Sequence, residues 1–80
     1  MQKWEYLFVV AGHANETWKA VIVNGKELKD WKNGPNLYDY MNNKGEEGWE
    51  IVSMNYSPIF TQTAYVESDD YRLVMKRPKN

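Results

Sequence analysis

The sequence predicts an α+β fold: a small antiparallel β-sheet with one α-helix packed on one face. Three observations predict it. Several short runs alternate apolar residues at a period of two, as a strand buried on one or both faces does. A single stretch carries apolar residues at helical spacing. An Asn24-Gly25 dipeptide, which tolerates the positive φ angles of a tight turn, joins two of the strand-like runs as a hairpin. With 80 residues the chain is one domain, residues 1–80. At that size only about 60% of the unfolded surface can be buried.

The first strand is "KWEYLFVV", residues 3–10. Trp4, Tyr6, Phe8 and Val10 share one face, with Glu5, Leu7 and Val9 on the other. Both faces are largely apolar, which predicts a central strand. "GHANE" follows as a loop, and a second strand over residues 18–23 runs into the Asn24-Gly25 turn. The short, charged return arm from Lys26 suits a sheet edge. The helix is expected over residues 35–46. Asn33 or Gly34 would cap it, and Pro35 would occupy its first turn, where a missing N–H costs nothing. Leu37, Tyr40, Met41 and Lys44 form its inward stripe, and Gly45 or Gly48 closes it. A strand over 49–56 places Trp49 where helix gives way to sheet, so that its ring covers the seam. Residues 61–66 read equally as strand or loop, Glu67–Asp70 as a turn, and 71–77 as the last strand, ended by Pro78.

Composition removes several classes of function. There is no cysteine, which excludes disulfides and thiolate metal sites and fits a reducing, intracellular compartment. The single histidine, His13, cannot build an imidazole cluster. No apolar run approaches the roughly 20 residues of a membrane span. Ten basic against eleven acidic residues argue against long nucleic acid as a partner. The outlier is aromatic content: four Trp, six Tyr and two Phe.

No catalytic motif stands out, and the sequence predicts neither an enzyme nor a cofactor. His13 could act as a base oriented by Glu16, and the acidic patches Glu46, Glu47, Glu50 and Asp69-Asp70 could hold a proton or a cation, but all of these read as solvated groups in loops and turns. More informative is "NGKELKDWKNGP", residues 24–35, with lysines at 26, 29 and 32 around Trp31, leading into a helix N-terminus. Free N–H groups and the helix dipole there favour an anion, and a tryptophan offers a stacking plate. The expected ligand residues are Trp18, Lys29, Trp31, Lys32 and Arg72. A solvated edge hairpin explains the same lysines.

One short helix covers one face of a sheet. The other face is expected to hold Leu7, Val9, Val52, Met54, Tyr56 and Val74, each worth roughly 1.5–3 kcal/mol when buried. Leaving it wet is costly, so either residues 59–66 fold over it or another copy of the chain does. A homo-oligomer held through Leu7, Val9, Val52 and Met54 is the expectation.

Three stretches, "KWEY", "GEEGWEIVSM" and "YRLVMKRP", resemble a widespread family of small bacterial and phage proteins catalogued as a domain of unknown function. Its pattern falls on Trp4, Glu5, Tyr6, Gly45, Glu47, Gly48, Trp49, Glu50, Lys76, Arg77 and Pro78. Met41 and Asn42 depart from its leucine-rich helix, and residues 12–34 form a long insertion before that helix. The resemblance implies a small sheet with one helix and no established activity. In size and aromatic richness the chain also resembles phage sponges that sequester the cyclic nucleotides of bacterial immune systems such as CBASS. A cyclic di- or trinucleotide is then the expected partner. The alternative is a protein-interaction or structural module that binds no small molecule.

Overall fold

The computed structural model describes residues 1–14, 16–60 and 67–79. Their strands are β1 (Lys3–Ala14), β2 (Thr17–Val23), β3 (Lys26–Glu27), β4 (Glu50–Phe60) and β5 (Glu67–Lys79), with a helix, α1 (Leu37–Glu46), between β3 and β4. They form one five-stranded sheet in the order β3-β2-β1-β5-β4, and every neighbouring pair is antiparallel. β1, apolar on both faces, is central as expected. Asn24 (φ 51°) and Gly25 (φ 83°) make the β2–β3 turn. Asn24 also closes it onto the sheet: its side-chain oxygen accepts from the Phe8 N–H at 2.9 Å, and its own N–H donates to the Phe8 carbonyl at 2.8 Å.

The predicted α+β class is corrected: this is a sheet-rich domain with a single short helix among the described residues. The segments expected to turn at 12–14 and 67–70 are strand instead, so the sheet takes up most of the chain. α1 is ten residues long and buries Leu37 alone, so it adds little to the layer beneath it. It is shorter than expected because Asn36, not Asn33 or Gly34, is the cap, accepting from the Asp39 N–H at 2.9 Å. Pro35 therefore precedes the helix. Pro78 does not end β5, which continues to Lys79; it faces Trp4 across the ladder. The strand-or-loop question at 61–66 lies outside the described residues.

The helix exists to cross the sheet, since β3 and β4 occupy opposite edges. A 3-10 turn (Trp31–Asn33) precedes it. Its start is tied to β2 by a bridge between Lys19 and Asn36 and by Lys19 Nζ donating to the Gly34 carbonyl at 2.6 Å. The predicted inward stripe holds: Leu37 is buried and Tyr40, Met41 and Lys44 are half-buried, while the intervening positions are exposed. The stop is Gly48 at φ 95°, a left-handed conformation that glycine adopts without steric cost. The Gly48 and Trp49 N–H groups donate back to the carbonyls of Gly45 and Lys44, both at 3.0 Å.

Beneath the helix lies the core: Leu7, Val9 and Ala11 of β1, Ala20 of β2, Leu73 and Met75 of β5, and Leu37. This reverses the expected faces. Leu7 (7% exposed) and Val9 (0%) are core residues of the single chain and cannot hold an oligomer together. Met54 and Tyr56 share the helix side with Leu73 and Tyr71, their ladder partners. Val52 is exposed at a bulge, where the register with β5 shifts between Ile51 and Ser53. That bulge inverts the alternation of β4, which a strict period of two cannot foresee. The open face instead carries Trp4, Tyr6, Phe8 and Val10 of β1, with Val74 of β5 opposite Phe8. Nor does the chain at 59–60 fold back over it, because the β4–β5 ladder continues out to Phe60 opposite Glu67. No helix among the described residues is long and apolar enough to cross a membrane.

Candidate functional site

α1 starts over β2 and is too short to cover the far part of the sheet, and the uncovered part forms a groove of about 500 Å³. Thr17 and Trp18 of β2 make one wall. Leu37, Tyr38 and Met41, with the cap Asn36, make the other, and Met54 and Tyr71 form the floor. None of these residues carries a charge. On the aromatic side the Trp18 ring makes edge-to-face contacts with Tyr71 at 4.6 Å, His13 at 4.9 Å and Tyr56 at 6.2 Å, and Tyr56 sits tilted against Tyr71 at 5.2 Å. Such aromatic pairs are worth about 0.5–1.5 kcal/mol each beyond the area they bury. His13, expected with Glu16 to be a solvated loop group, has its ring edge-on to Trp18.

A smaller hollow of about 260 Å³ lies between the 3-10 turn and α1, and Lys29, Asp30, Trp31 and Tyr40 are among its lining residues. It unites Lys29 with Trp31, and Lys32 Nζ stands 5.7 Å from the centre of the Trp31 ring. Trp18 belongs to the larger groove, and Arg72 lies on the open face beside Asp70, Nε to Oδ1 at 3.6 Å. The five expected ligand residues therefore do not make one site. The helix start is also a poorer anion site than its approach suggests, since Asn36 occupies the Asp39 N–H and Asp39 adds negative charge to the first turn. Tyr40, between hollow and core, has its hydroxyl pKa raised above the usual value of 10.0, first by burial and then by the Glu47 carboxylate.

The groove was missed because its residues come from four elements between Thr17 and Tyr71, and only Trp18 carried a signal. By contrast, the three stretches that carry the family resemblance meet at one end of the sheet. On the helix side, Arg77 Nε donates to Glu5, its Nη1 donates to the Glu47 carbonyl at 2.9 Å, and its guanidinium lies 4.4 Å from the centre of the Trp49 ring. On the open side, Lys76 Nζ lies 4.2 Å from the Trp4 ring centre and 3.7 Å from Glu50. These residues clasp strand to strand and helix end to sheet. They do not line the groove.

No curated protein and no solved structure matches the chain. Over residues 4–78, from Trp4 to Pro78 of this clasp, it matches the profile of one family, and the chain belongs to it: the domain of unknown function DUF4177.

Proposed function

We propose that the protein is a non-catalytic binding module, working in the bacterial cytoplasm, whose groove takes an uncharged, largely apolar ligand. One observation carries this: a groove of about 500 Å³ whose lining is aromatic, aliphatic and uncharged. That volume lies within the roughly 300–1,000 Å³ of small-molecule sites, which are mainly apolar with a few polar groups to orient the ligand. Here Thr17, Asn36, the Tyr38 and Tyr71 hydroxyls and the Trp18 indole N–H are the polar groups. Met41 and Met54 are deformable and suit a ligand of imperfect fit. Nothing in the lining ionises near neutral pH, so the groove offers neither an acid–base pair nor a cation for phosphate.

A cyclic nucleotide keeps one specific support, the Lys29–Trp31–Lys32 group at the smaller hollow. The two sites are separable by their tryptophans. Titrating the 15N-labelled protein with millimolar indole, and separately with a cyclic dinucleotide, while following the indole N–H resonances distinguishes them. The groove predicts that indole shifts the Trp18 resonance, that Trp31 is unmoved, and that Trp18→Ala abolishes binding. A shift at Trp31 with the cyclic dinucleotide alone would transfer the function to the smaller hollow. No response at Trp18 to indole would refute the groove.

A further inference from the structure

We propose that the open face of the sheet is a homodimer interface, two copies stacking sheet against sheet. Trp4 is 39% exposed, Tyr6 59% and Phe8 41%, all on one face of the central strand. Fully buried aromatic side chains remove about 150–250 Å² each from water, so these three rings alone present roughly 250–300 Å². Half-buried Val10, Val74 and Ile22 extend the patch without a break, since Phe8 faces Val74 and Val10 faces Ile22 across the ladders. A specific interface needs on the order of 500 Å² from each partner, and this stripe with the Lys76 stem approaches that. A contiguous apolar patch of this size is often a functional surface.

Charge selects the occupant. One end of the face holds Lys76 beside Glu50, and the other holds Arg72 beside Asp70, with Glu27 of β3 opposite Ile22. A polyanion or an anionic membrane would need a cationic face, and here Lys76 and Arg72 stand among Glu50, Asp70 and Glu27. A second copy of the chain satisfies both the apolar centre and the mixed ends, and aligned sheets pack in this manner about 10 Å apart. The groove lies on the other face, so the dimer stands whether or not the groove binds.

Sedimentation velocity across micromolar concentrations tests this. The unaltered chain is expected to sediment as a dimer that dissociates on dilution, with NMR resonances of Tyr6, Phe8 and Val74 changing as it does. Tyr6→Glu and Phe8→Glu should each weaken association by about thirtyfold or more, as losing an interface hot spot does. Met54→Lys, on the outer strand and the other face, should leave the dimer intact. A monomer throughout, dilution shifts confined to the β4 edge, or a dimer lost only in Met54→Lys would each overturn the proposal. The dilution experiment uses no variant, so it decides even if Tyr6→Glu or Phe8→Glu fails to fold.

Discussion

The guanidinium of Arg77 lies over Trp49, 4.4 Å from the ring centre, while its Nε donates to Glu5. One side chain near the end of the chain thus holds the first strand and the helix exit in place. Trp49 is half-buried and packs against the core. Its position just after Gly48 is architectural, as the junction in the sequence suggests.

Arg77→Lys keeps the charge but loses the planar fork and the stacking surface. It is expected to cost about 1–2 kcal/mol, and Arg77→Ala about 2–3 kcal/mol, since the stem's packing goes as well. Thermal unfolding would show the ranking, at roughly 4–8 °C per kcal/mol in so small a domain. Equal stability of the lysine variant and the parent would mean that charge alone matters.

Trp49→Ala removes a half-buried ring, so its cost should fall below the roughly 3–5 kcal/mol of a fully buried aromatic, at about 2–3 kcal/mol. Urea unfolding gives the value directly. A melt within a degree of the parent would show that the ring is not an anchor.

Gly48→Ala places a Cβ at φ 95°, where the nearest atom outside its neighbours is Arg77 Cδ at 4.0 Å. There is room, so the cost is backbone strain alone, about 1–2 kcal/mol. Gly45→Ala, inside the helix with nothing within 4 Å of the added carbon, should instead be neutral or slightly stabilising. The opposite order would show that the helix stops elsewhere.

Tyr40 gives a pH dependence. Its hydroxyl ionises less readily in the folded chain than at the ordinary 10.0, because burial and then Glu47 oppose the phenolate. The folded state therefore holds its proton more tightly. The associated stability is complete below pH 10 and is lost as pH rises through the unfolded and then the raised folded value. Tyr40→Phe should lose less stability than the parent between neutral pH and above pH 10. Parallel stability curves would contradict this.

Much of this fold is legible residue by residue. The alternation of residues 3–10 reveals a central strand, Asn24-Gly25 its hairpin, and the Leu37–Lys44 stripe its helix, because each is a local consequence of side-chain periodicity or backbone freedom. The faces are not legible. Both sides of β1 are apolar, and the smaller Leu7, Val9 and Ala11 go inward, where the core residues Ala20 and Leu37 also lie. The aromatic side chains remain on the open side. The bulge at Val52 leaves no mark on composition, and it turns Met54 and Tyr56 to the helix side. The candidate site is the least legible part, since Trp18 and Tyr71 are far apart in sequence and meet only through the β2-β1-β5 order.

The family's three stretches are one mechanical clasp centred on Arg77, and a double-mutant cycle between Arg77→Met and Trp49→Leu in urea measures it most directly. A coupling of about 1 kcal/mol between the two positions is predicted, as for a partly desolvated cation over a ring. Effects that add within about 0.3 kcal/mol would show that Arg77 and Trp49 are neighbours without being a clasp.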